Sequence, residues 1–145
     1  MRMHKGLLTG VMGFVLAGCS IQYPQNAAEF RKMLPESSFG TKEEVSSSRS
    51  VAEIGATFRK MAPQCLDVRI RTEERSSTSY HVTVTHYKPT VIATPQKAEL
   101  HVQMAFEKGV ITPGKVPPDG TYLMVIDVTP AANGKSKAVV YRPSM

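Results

Sequence analysis

A two-residue alternation in the second half of the chain constrains its fold more than any other feature. Leu66, Val68 and Ile70 alternate with Asp67, Arg69 and Arg71. Tyr80, Val82 and Val84 alternate with His81, Thr83 and Thr85, and Leu100, Val102, Met104 and Phe106 alternate with Glu99, His101, Gln103 and Ala105. A period of two sends successive side chains to opposite faces, so each run predicts a strand with one apolar and one polar face. Tyr122 to Val128 is apolar at nearly every position, which predicts a central strand. Asn133-Gly134 then predicts a tight hairpin turn, with Ala138 to Tyr141 returning from it.

The breaks are as informative as the runs. The first two runs read as a hairpin joined by the polar stretch Glu73 to Ser79. Lys88-Pro89 and Pro95 interrupt pairing, which leaves Val91 to Ala93 as a short edge piece. Lys108 to Gly120 holds three prolines and three glycines and reads as a long loop.

Two helices are predicted upstream. Ser50-Val-Ala-Glu53 has the spacing of a capping box. Val51, Ile54, Phe58 and Met61 follow at steps of three, four and three, giving one apolar stripe before Pro63. Asn26 and Glu29 form a similar cap ahead of Phe30, Met33 and Leu34, with Pro35 as the stop. Eight residues are too few for a stable isolated helix, so this second stripe must dock on something or fray. Residues 36–49 contain six serines or threonines and two adjacent acids, and read as a linker.

The fold expected is therefore α+β: one amphipathic helix on a four- or five-stranded antiparallel sheet, forming a single domain over 50–145. The polar alternate positions leave the far face of that sheet wet unless a partner covers it. Residues 19–49 are expected to be a flexible tether with a short helical segment, and Phe30, Met33 and Leu34 are its candidate partner contact.

The N-terminus reads as an address. Arg2 and Lys5 make a short basic start, and Gly6 to Gly18 is apolar. Thirteen helical residues span only about 20 Å against a hydrocarbon core of about 30 Å, which suits a secretory signal over 1–18 better than a permanent span. Leu16-Ala17-Gly18-Cys19 resembles the lipobox of bacterial lipoproteins. The resemblance implies cleavage before Cys19, a diacylglyceryl group on its thiol and acylation of the new amino terminus. Covalent lipid, with palmitate among its acyl chains, is the only prosthetic group expected. Ser20, in place of the aspartate that retains enteric lipoproteins at the inner membrane, implies an outer-membrane protein on the periplasmic side. Several acyl chains make a stable anchor where one would be marginal.

Composition and charge exclude several function classes. Hydrophobic residues at 41% and charged residues at 21% are globular values. The formal charge is +6; without Arg2 and Lys5 it is +4, 16 bases against 12 acids, scattered rather than clustered, and no footprint for nucleic acid. His81, His86 and His101 lack the neighbours a metal site requires, so no metal is expected. The serines fall in linkers, and Glu43-Glu44 and Glu73-Glu74 are adjacent residues that point apart. Asp127, inside an apolar strand, either faces solvent or pairs with a strand arginine such as Arg69. Cys65 reads as a small buried residue after a helix; an interchain disulfide and a catalytic thiol are the alternatives, the last lacking any activating charge nearby.

These residues point to a non-catalytic, lipid-anchored envelope protein that binds or scaffolds another envelope component. A small lipid- or glycan-binding lipoprotein is the alternative, and it requires a cavity of about 300 Å³ or more. An enzyme would have to assemble His101, Asp119 and Cys65 around the loop Lys108 to Gly120.

Overall fold

In the computed structural model, residues 22–36, 40–111 and 114–144 are described. The stretch 1–18 read as a signal, Cys19 and Ser20 lie outside them. The elements in chain order are α1 (Ala27–Glu36), β1 (Gly40–Ser47), α2 (Val51–Cys65), β2 (Val68–Arg75), β3 (Tyr80–Ala93), β4 (Ala98–Lys108), β5 (Thr121–Pro130) and β6 (Ser136–Pro143). The strands form one antiparallel sheet in the order β1-β6-β5-β4-β3-β2. The last five make a meander. Between β1 at one edge and β2 at the other, α2 carries the chain across a face of the sheet.

The architecture is α+β, but with six strands and two packed helices rather than four or five strands and one. The extra strand comes from the stretch read as linker. Gly40–Ser47 pairs along the whole of β6, from Gly40 opposite Pro143 to Ser47 opposite Ser136. It has a single large apolar residue, Val45, and five of its eight residues are exposed. An edge strand of this kind is held by its backbone ladder and by cross-strand charge pairs, here Arg142–Glu43 and Lys137–Glu44, each at 2.6 Å. Those contacts leave no alternation to read.

Both capping predictions are realised as hydrogen bonds. The Glu53 N–H donates to Ser50 Oγ at 3.3 Å, and Glu53 Oε2 accepts from the Ser50 N–H at 2.8 Å. In α1 the Glu29 N–H donates to Asn26 Oδ1 at 2.9 Å, and Glu29 Oε2 accepts from the Gln25 N–H at 2.8 Å. Pro63 does not end α2. It removes one ladder donor near the C-terminus, and the last turn still closes through the Leu66 N–H to the Ala62 carbonyl at 2.9 Å. Nor do Lys88-Pro89 stop β3. β2 ends at the pair Val68–Tyr87, so from residue 88 onward β3 has β4 alone as neighbour and Pro89 needs no donor on its outer side. The turn before β6 places Asn133 at φ 59° and Gly134 at φ 72°, the left-handed pair expected of Asn-Gly.

The two helices lie on opposite faces of the sheet. Ala98, Leu100 and Val102 of β4 and Met124, Ile126 and Val128 of β5 pack with α2, through Val51, Ile54, Phe58 and Ala62. Gly55 brings this helix close: a Cβ there would lie 3.1 Å from the Ala93 Cβ. The opposite phase of the same strands meets α1. Val125 is fully buried against Ala27, Phe30 and Leu34, with Tyr122 and Tyr141 packed alongside. A register shift puts Tyr122, rather than Leu123, opposite Gln103, so the ring of Tyr122 joins the α1 side and stacks at 5.6 Å from Phe30.

α1 is thus part of the fold and not of a tether. Phe30 and Leu34 are buried within the protein itself, which removes them as a partner contact; of the three residues named for that role, only Met33 is exposed. α1 covers the far face of the sheet over β5 and β6, away from the runs 66–72 and 80–87 whose polar positions predict a wet face. The folded region accordingly begins ahead of Ser50, the boundary expected from the sequence.

Candidate functional site

Three local arrangements are candidates for function. The most ordered is a charge cluster under α1. Arg31 reaches the sheet and donates from Nε and Nη2 to the two oxygens of Asp127, both at 2.7 Å, and from Nη2 to Glu99. Glu99 also accepts from Lys97 at 2.6 Å and meets His101 Nε2 at 2.8 Å. Burial pushes the Glu99 carboxyl upward, but contacts with Lys97, His101 and Arg31 outweigh it and hold the pKa down to about 2. Arg31, Lys97 and His101 each meet a carboxylate of this cluster. The cluster fastens α1 to β4 and β5.

Asp127 therefore pairs with a helix arginine, Arg31, and not with Arg69. Arg69 sits on the other half of the sheet, 2.9 Å from Glu107. The three histidines are also separated. His101 pairs across the sheet with Thr90, nine residues along β3 from His81, a distance of about 30 Å. His86 lies between Asp67 at 2.7 Å and Glu107 at 3.3 Å. Among the described residues no group of three or more His, Cys, Asp or Glu side chains is placed to hold a metal ion. His101, Asp119 and Cys65 are not brought together. His101 lies on the α1 side against Tyr122, Asp119 pairs with Lys88, and Cys65 is exposed at the end of α2 on the opposite face.

The second arrangement is a bare apolar surface. Beyond the C-terminal end of α2 the strands continue without a helix over them. Two cross-strand rows run there: Val68–Tyr87–Met104 and Ile70–Thr85–Phe106. Both continue the face that α2 covers elsewhere, since Met104 and Phe106 keep phase with Val102 and Leu100. Ile70 is 46% exposed and Phe106 39%, and Met61 and Val68 are similarly open. Where this surface meets α2, Phe58, Met61, Cys65, Leu66 and Leu100 line a small apolar recess of about 180 Å³. On the other flank, Phe106 and Pro117-Pro118 border a groove of about 310 Å³. No family model, curated protein or solved structure matches this chain.

The third arrangement is an open groove of about 420 Å³ at the start of the described chain, lined by Tyr23, Gln25, Glu29 and Met33 on one side and Gly114 and Lys115 on the other. Gln25 bridges the two sides: its side-chain amide donates to the carbonyls of Tyr23 and Lys115, both at 2.8 Å. No helix among the described residues is long and apolar enough to cross a membrane.

The bare surface could not have been found by the alternation alone. Alternation marks Val68, Ile70 and Phe106 as facing a core, and nothing local tells which stretch of that face α2 fails to reach.

Proposed function

We propose that this chain is a lipoprotein anchored through Cys19 on the periplasmic face of the outer membrane, and that it acts without catalysis by holding another envelope protein against its bare sheet face. The anchor rests on Leu16-Ala17-Gly18-Cys19 behind a basic, apolar leader, and the destination rests on Ser20. The binding reading rests on the two uncovered rows. Monomeric proteins seldom leave aligned large apolar side chains in water, and surfaces of this type mark interaction sites. The most densely paired polar cluster, by contrast, is spent on holding α1.

The lipid- or glycan-binding alternative is less well supported. The recess between α2 and the sheet, about 180 Å³, is below the size of an ordinary ligand pocket. The larger groove beside Gln25 is open to solvent and lies between α1 and a loop.

Two measurements test the proposal. Cys19→Ser should abolish incorporation of a palmitate analogue and leave uncleaved precursor; label retained in the variant would end the lipoprotein reading. A photo-crosslinking residue at Ile70 should give a discrete protein adduct in intact cells, while the same residue at Lys60, on the outer side of α2, should not. Equal adducts at both positions, or none at Ile70, would remove the sheet face as the partner surface.

A further inference from the structure

The length of chain between the lipid and the fold limits where the domain can sit. Only Ser20 and Ile21 separate Cys19 from Gln22, the first described residue. Three extended steps reach about 10–11 Å. The fold is engaged almost at once after that, because Gln25 is bonded to Lys115 and α1 begins at Ala27. A lipidated Cys19 lies in the head-group layer, which is about 5–8 Å thick on each side of the hydrocarbon. The chain therefore meets the groove at Gln22 after a reach on the order of one Debye length, about 8–10 Å, from the lipidated residue.

The loop at that end has the residues such a position calls for. Ile111 is 96% exposed, the most exposed of the large apolar side chains described, and Val110 beside it is 41% exposed. Lys108 and Lys115 flank them, both exposed. Three residue steps separate Ile111 from Gly114 in the groove, so Ile111 is within about 11 Å of the groove wall. An isoleucine fully in water between two lysines, on the end of the molecule nearest the anchor, serves the fold in no contact described above.

We propose that Val110, Ile111, Lys108 and Lys115 form a second membrane contact, in which the two apolar side chains enter the head-group boundary of a bilayer and the lysines meet its anionic lipids. This rests on the lipoprotein reading, since it is the anchor at Cys19 that brings the loop to the surface. The lipid fixes the protein to the membrane; the loop fixes its orientation. With this end down, the long axis of β4 stands away from the bilayer, and the rows Val68–Tyr87–Met104 and Ile70–Thr85–Phe106 face sideways, open to a partner in the same plane. Each lysine near an anionic surface contributes about a fivefold preference for the docked state.

The test uses the full acylated protein with Cys65→Ser, so that a single introduced thiol carries an environment-sensitive fluorophore. Ile111→Cys places the probe on the loop. Ile92→Cys, half exposed on β3 beside the start of β4, places it at the far end of the sheet. On vesicles of phosphatidylethanolamine with phosphatidylglycerol, the Ile111 probe should shift to the blue and be quenched by lipids carrying a shallow nitroxide. The Ile92 probe should do neither. Lys108→Glu and Lys115→Glu should each lower the docked fraction at the Ile111 probe, by about fivefold in the docked-to-undocked ratio. A water-like, unquenched Ile111 probe on a protein whose mass includes the acyl chains would overturn the loop contact while leaving the anchor standing. A mass without acyl chains would overturn the anchor and the loop contact together.

Discussion

The two halves of the sheet are built from equally regular strands and have opposite fates. β5 and β6 are covered on both sides, by α1 and α2, and Val125 and Val128 are completely buried. β2 is exposed at all eight positions, and the adjoining end of β3 has only the sheet itself for support. Both halves have good backbone ladders. The difference is the helices: hydrogen-bonded pairing defines the shape of both halves, while helix packing decides which half is buried. The β2–β3 hairpin can remain bare because its charges keep it from pairing with other edges: Arg69, Arg71, Glu73, Glu74 and Arg75 lie along β2.

If coverage is what separates the halves, removing a cover should cost far more than altering the bare strands. The largest effect is expected from a chain that begins at Ser50. It lacks α1, leaves Val125 and the Asp127–Glu99 pair without their partners, and exposes β6 as a bare edge. It should lose cooperative unfolding in denaturant. A sharp transition like that of the chain from Ser20 would mean that α1 and β1 are dispensable, as a tether would be.

Next in size is Phe30→Ala, which empties the space between α1 and Tyr122 and should cost about 3–5 kcal/mol in urea titrations. A loss below about 1 kcal/mol would show that α1 is only loosely seated. Arg31→Ala should follow at about 2–4 kcal/mol, somewhat under the range for a fully buried pair because the cluster is partly wet.

Arg31 also links coverage to pH. Glu99 titrates near 2 in the fold and near 4.5 without its partners, so its carboxylate form is favoured by folding. That contribution is complete above about pH 4.5 and is lost as pH falls toward 2. Its upper limit is on the order of 3 kcal/mol. Stability of the wild-type chain measured between pH 5 and 2 should fall on acidification. In Arg31→Ala the fall should be smaller, since one of the three contacts that depress Glu99 is gone. An identical acid profile in both would separate Arg31 from the titration.

The smallest effect belongs to the bare half. Arg71→Ala should change stability by no more than about 0.5 kcal/mol. Amide exchange in β2 should be faster than in β5 by orders of magnitude, because local opening of an uncovered edge hairpin need not breach either helix. Equal protection in β2 and β5 would mean that the hairpin is covered in solution, and a second copy of the chain would be the first occupant to look for.

What the sequence determined by itself was everything that depends on near neighbours. The capping boxes at Asn26 and Ser50 need only residues three apart, the strands need only period two, and Asn133-Gly134 needs only its own backbone preference. Those rules give the helices, four or five antiparallel strands and the α+β class, and the nearly continuous apolar run of Tyr122 to Val128 marks a central strand in need of cover. The tertiary structure alone decided what supplied that cover. The Phe30 stripe is too short to declare whether it docks, and its partner Val125 lies 95 positions away. β1 has no alternation because an edge strand needs only a neighbour with free backbone groups. Arg31 finds Glu99 and Asp127 at separations of 68 and 96 residues. Chain-local patterns are silent on such pairings, because burial of a charge or a short apolar stripe is worth little until both distant surfaces are already in place.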